Sequence, residues 1–137
     1  MGRKIVICAA LSGAATMKEA NPNVPYTPEE FVAEAKRVEE AGAAAVHLHV
    51  RDPKTGLQTA DPEMVKTVVE GIRANTHLLI NISTGGGGPG YTLEDRKKPI
   101  SEQSPDMASL NVGSMNFCFV NQRTGQVLYD ITFENKL

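Results

Sequence analysis

The sequence predicts an α/β fold built on parallel strands, and three observations lead there. Apolar runs at residues 4–10, 45–50, 78–82 and 107–112 alternate with segments of helical periodicity. Alternation of this kind implies parallel strands joined by right-handed crossovers. Polar residues recur near the ends of those runs at a spacing of two: His47 and His49, Asn81 and Ser83, Ser109 and Asn111. A spacing of two puts both members of a pair on one face of a strand. An open sheet covered by helices on both faces would bury them. In a (β/α)8 barrel one face looks inward and the carboxyl ends of the strands form the mouth. The polar pairs therefore favour a (β/α)8 (TIM) barrel. A complete barrel takes about 250 residues, so a single domain over 1–137 is expected to carry about the first four β/α units.

The first run, Lys4 to Ala10, is continuously apolar after its lysine, as expected of a strand buried on both faces. Leu11 to Pro25 is a long loop of small and polar residues, and long loops in compact domains tend to be functional. Thr27-Pro28-Glu29-Glu30 starts a helix: a capping threonine, a proline at the first position and a glutamate that completes a capping box. Phe31, Ala35 and Val38 continue it at helical spacing, and Gly42 ends it. Residues 51–60 form a loop. Asp61-Pro62-Glu63 opens a second helix, with Val65, Val68, Val69 and Ile72 as its apolar stripe. After the third strand comes Ser83-Thr84-Gly85-Gly86-Gly87-Gly88-Pro89-Gly90, then a short helix from Thr92. Beyond Gly113 a hairpin is expected around Asn121 to Gly125.

Apolar residues make up 41% and charged residues 22%, with a net charge of -2, which is ordinary globular composition. That balance, with few aromatics and no tryptophan, gives no reason to expect nucleic acid or an anionic membrane as partner. Cys8 and Cys118 are far apart in sequence and are expected to be reduced thiols in a cytoplasmic protein. No signal peptide or membrane span is apparent.

The chemistry centres on Val46-His47-Leu48-His49-Val50-Arg51-Asp52. If the strand runs through it, His47, His49 and Arg51 share one face. Two Cβ atoms roughly 7 Å apart can bring their imidazoles around one ion. A lone buried histidine is more often hydrogen-bonded core; two at this spacing at a strand end favour a metal. Zinc in enzymes takes three protein ligands plus water, so the pair is not a whole site. The glycine cluster suits an anion held by backbone N–H groups, helped by Ser83 and Thr84. It is not a Walker motif, and its competing role is a flexible linker.

These segments resemble the β-keto acid cleavage enzymes. The likeness rests on Ala9–Ala14, Asn21–Glu30, Ala41–Ala43, His47–Arg51, Ile82–Gly86 and Ser109–Phe117, in that order. The resemblance implies a (β/α)8 barrel with one divalent metal, zinc first, that condenses a β-keto acid with acetyl-CoA to give acetoacetate and a new acyl-CoA. It implies His47 and His49 as metal ligands, and Ser83, Gly86, Ser109 and Asn111 as contacts to the keto acid. Arg51 is assigned a catalytic part, with a structural ion pair as the competing role. The family's third ligand, a late-strand glutamate with an arginine and an aspartate, has no counterpart here. Ala15 stands where amino-substrate members carry a glutamate, which favours a keto acid without a cationic amine. Edge strands of a partial barrel must be paired or covered, so a homo-oligomer is expected. Two other readings stand beside it: a non-catalytic half-barrel that keeps metal or ligand binding, and a metal-dependent amidohydrolase-like enzyme. The second lacks further ligands, because the remaining histidine, His77, lies at the opposite end of its strand.

Overall fold

A computed structural model describes residues 3–85, 91–110 and 115–133. Its order is β1 (Cys8–Ala10), α1 (Pro28–Glu40), β2 (Ala45–Leu48), α2 (Pro62–Asn75), β3 (Leu79–Ile82), α3 (Leu93–Gln103), β4 (Met107–Ala108), β5 (Met115–Val120) and β6 (Val127–Phe133). The first four strands form one parallel sheet in the order β1-β2-β3-β4. The last two form a separate antiparallel hairpin. Sequential order without reversal is what right-handed crossovers give when every helix returns over the same face. Accordingly α1 packs on α2, and α2 on α3.

The helix starts follow their sequence signals. Thr27 caps α1, its side chain accepting from the Glu30 amide while Glu30 reaches back to the Thr27 amide. Asp61 caps α2 through the Met64 amide, and Pro62 sits at the first helical turn. Gly42 follows the end of α1 at φ +98°, a conformation that costs a side-chain-bearing residue more than glycine. Helix α3 runs through Pro99, which is buried.

The core lies between sheet and helices. Phe31 and Ala35 of α1 and Val65, Val68, Val69 and Ile72 of α2 pack with Val46, Leu48, Ile80 and Ile82 from the strands. Each large side chain fully withdrawn from water contributes about 1.5–3 kcal/mol. The alternate strand residues face away from the helices. Register lines Ala10, His47, Asn81 and Met107 across the sheet on that helix-free face.

Two strands are shorter than the apolar runs that predict them. β1 begins at Cys8, where β2 offers its first partner, Ala45; Ile5, Val6 and Ile7 are exposed rather than buried on both faces. β4 ends at Ala108 because β3 ends at Ile82, its partner. Among the described residues three helices accompany the four strands, and the hairpin follows β4. None of the described helices is long and apolar enough to cross a membrane.

Candidate metal-binding and substrate site

Strand β2 carries its two imidazoles to the carboxyl edge of the sheet. Val46 and Leu48 point into the core, so the pleat turns His47 outward onto the helix-free face. His49 follows one residue past the strand end, and its ring meets that of His47 edge-on, centroids 4.9 Å apart. The two Nε2 atoms are 3.1 Å apart. One proton shared between them satisfies that contact when no cation is present.

The neighbouring strand sets the tautomer. In register with His47, Asn81 places its Oδ1 2.9 Å from His47 Nδ1. A carbonyl oxygen only accepts, so Nδ1 carries the proton and the His47 Nε2 lone pair faces His49. Burial pushes the His49 imidazole toward its neutral form; a contact with the Gln58 side chain opposes this, and nearby His47 and Arg51 reinforce it. His49 Nδ1 is buried and makes no hydrogen bond of normal geometry, Gln58 included.

Tetrahedral zinc about 2.0–2.1 Å from each of two nitrogens would separate them by roughly 3.3 Å. The observed 3.1 Å is close to that spacing. Two convergent imidazoles therefore fit as half of a ligand set. Among the described residues no group of three His, Cys, Asp or Glu side chains gathers around a common point.

The remaining predicted residues divide. Ser83 is half-buried at the end of β3, its amide donating to Leu48 O at 3.0 Å. Ser109, past the end of β4, accepts from the Thr84 amide through Oγ at 2.9 Å, and its carbonyl accepts from Thr84 Oγ1 at 2.7 Å. Both serines thus stand past the carboxyl ends of β3 and β4, the edge of the sheet that also carries the histidines. Gly86 and Asn111 lie outside the described residues. Arg51 leaves the histidine face altogether. The strand ends at Leu48, and Arg51 instead forms an antiparallel bridge with Gln58, so the spacing-two rule no longer holds there. Its side chain is wholly buried and reaches into the loop after β1.

Sequence reasoning passed over Asn81 as a member of the site, although its place in the polar pattern marked the position. It also missed Ser12, whose hydroxyl donates to His49 O at 2.8 Å. The larger concavities are elsewhere: grooves of about 430 and 450 Å³ lie against the outside of α1 and include none of these residues.

The fold and site define a parallel α/β protein with an imidazole pair at the carboxyl edge of its sheet. The sequence profile of the beta-keto acid cleavage enzymes matches residues 4–136, and the chain belongs to that family. It is 47% identical over 115 residues to a 3-keto-5-aminohexanoate cleavage enzyme of Acetoanaerobium sticklandii, covering 83% of this chain and 41% of that protein. It is 40% identical over 115 residues to a 3,5-dioxohexanoate:acetyl-CoA acetone transferase of Paraburkholderia graminis, covering 84% and 37%. A 3-oxoadipate:acetyl-CoA acetyltransferase of Cupriavidus necator is 40% identical over 120 residues, covering 85% and 40%. The chain therefore spans about two-fifths of the length of these relatives. The apo structure of ObcA shares the fold, with a TM-score of 0.58 at 24% identity over 84% of this chain and 26% of that one.

Proposed function

We propose that this chain supplies the first four strands of a (β/α)8 barrel that transfers an acyl group between a β-keto acid and acetyl-CoA. The products are acetoacetate and the acyl-CoA of the remaining keto-acid fragment: one carbon–carbon and one thioester bond break, and one of each forms. The observation that carries the reading is the convergence of His47 and His49 Nε2 at the carboxyl edge of the sheet, in a chain of this family. The relatives' names supply the substrate classes.

His47 and His49 would hold a divalent cation, zinc first among candidates, with further ligands from outside the described residues. Such a cation, when bound, polarises a ketone oxygen and anchors a carboxylate. Asn81 keeps the His47 proton on Nδ1 and so leaves Nε2 free as a ligand. Ser109 Oγ already accepts from Thr84 N–H, which leaves its own hydroxyl proton to donate to a substrate oxygen. Ser83 offers a second hydroxyl one strand closer to the pair, and Gly86 and Asn111 complete the proposed contacts. Ala15 is exposed and uncharged, which suits a keto acid without a cationic amine. A cytoplasmic homo-oligomer is part of the same reading.

Zinc content and acetyl-CoA turnover test it. His47→Ala is expected to lose zinc by elemental analysis while its circular dichroism stays that of the parent. The full enzyme is expected to form acetoacetate from a β-keto acid and acetyl-CoA. Unchanged zinc in a folded His47→Ala variant would remove the assignment.

A further inference from the structure

Among the described residues Arg51 is the largest side chain with no exposed surface, and it makes no salt bridge to a carboxylate there. A buried cation is tolerated only when its donors are satisfied. Here main-chain carbonyls do this for the two terminal nitrogens, while Nε is buried without a hydrogen-bond partner. Nη2 donates to Ser12 O at 3.2 Å, Gly13 O at 2.8 Å and Thr16 O at 3.2 Å. Nη1 donates to Gly56 O at 2.7 Å and lies 3.8 Å from Met17 Sδ. Ser12 to Thr16 belong to the loop after β1, and Gly56 to the loop after β2. One guanidinium therefore ties together the two loops that flank the histidine pair.

The first loop is also bonded to the histidines. Ser12 Oγ donates to His49 O at 2.8 Å, and the Leu11 amide donates to His47 O at 3.3 Å. Gly13, at φ +59°, makes the left-handed turn between the held carbonyls, and Ala14 and Ala15 stand exposed there.

We infer that Arg51 is a positioning residue of this site: by holding the Ser12, Gly13 and Thr16 carbonyls it fixes the loop that in turn fixes His49 through Ser12. The inference goes beyond the acyl exchange proposed above and stands whichever reaction the site performs. The role requires a planar fork with several donors; lysine keeps the charge but has a single nitrogen that cannot reach both loops at once.

The test is amide hydrogen exchange and imidazole nitrogen NMR on the full chain with Arg51→Lys. Loss of these bonds is expected to speed exchange at Leu11, Lys18 and Ala20 by about tenfold or more, with the α2 amides within about twofold of the parent. The ring signals of His49 are expected to shift. Those of His77, exposed at the far end of its strand, are expected to stay. Ser12→Ala should shift His49 while leaving Lys18 and Ala20 protected. Should Arg51→Lys fail to fold, Gly13→Ala loosens the same loop with Arg51 intact, since a Cβ there meets nothing within 4 Å and the cost is confined to the backbone. Unchanged loop amides and His49 signals in a folded variant overturn the inference. So does an even loss of protection that includes α2, which would make Arg51 a support of the fold alone.

Discussion

Replacing Asn81 with alanine removes the one acceptor that fixes the His47 tautomer. The 2.9 Å bond to Nδ1 is half-buried, so its loss is expected to lower stability by about 1 kcal/mol, read as a shift in urea midpoint. The larger effect falls on cation affinity. Partners that orient a ligating imidazole are typically worth 10–100-fold in metal binding, about 1.4–2.7 kcal/mol. Zinc affinity measured by competition with a chromophoric chelator should fall within that range, while the His47 ring loses its single tautomer in the nitrogen spectrum. Asn81→Asp keeps the acceptor and should retain affinity. If Asn81→Ala binds zinc within about twofold of the parent while His47→Ala does not bind, the orienting role is refuted.

Two further outcomes follow from the same geometry. Burial depresses the His49 pKa below its ordinary value of 6.5, so below that pH the unfolded chain takes up a proton that the native state resists. Metal-free stability should therefore be fully present above about pH 6.5 and decline as pH falls, by at most about 1.4 kcal/mol per pH unit from this group. The difference between parent and His49→Asn urea-unfolding curves isolates it, and a flat difference from pH 7 to 5 counts against it. Gly56→Ala is expected to destabilise by about 2 kcal/mol or more, since φ is +70° and the new Cβ would lie 2.5 Å from Tyr26 Cε2. Thermal unfolding and the Tyr26 ring signals would report it.

Much of this was written locally. The caps at Thr27 and Asp61 and the apolar stripes of α1 and α2 form where their residue types place them, because capping and periodicity act over a few positions. The convergence of His47 and His49 was legible for the same reason: spacing two puts side chains on one face. Arg51 was not, because two residues further past the strand end the chain has turned into the bridge with Gln58. The short extents of β1 and β4 depend on where their neighbours begin and end, which no single run of residues encodes. Asn81 becomes a partner of His47 only through register between two strands that one crossover brings together.

The unreversed strand order has a bearing on how the chain comes to be folded. In the parallel sheet each strand hydrogen-bonds to the one made just before it, and each helix leans on its predecessor. Structure can then accumulate in the direction of synthesis, every new unit docking on a surface already emerged from the ribosome, so the imidazole pair could be in place once β3 has been made.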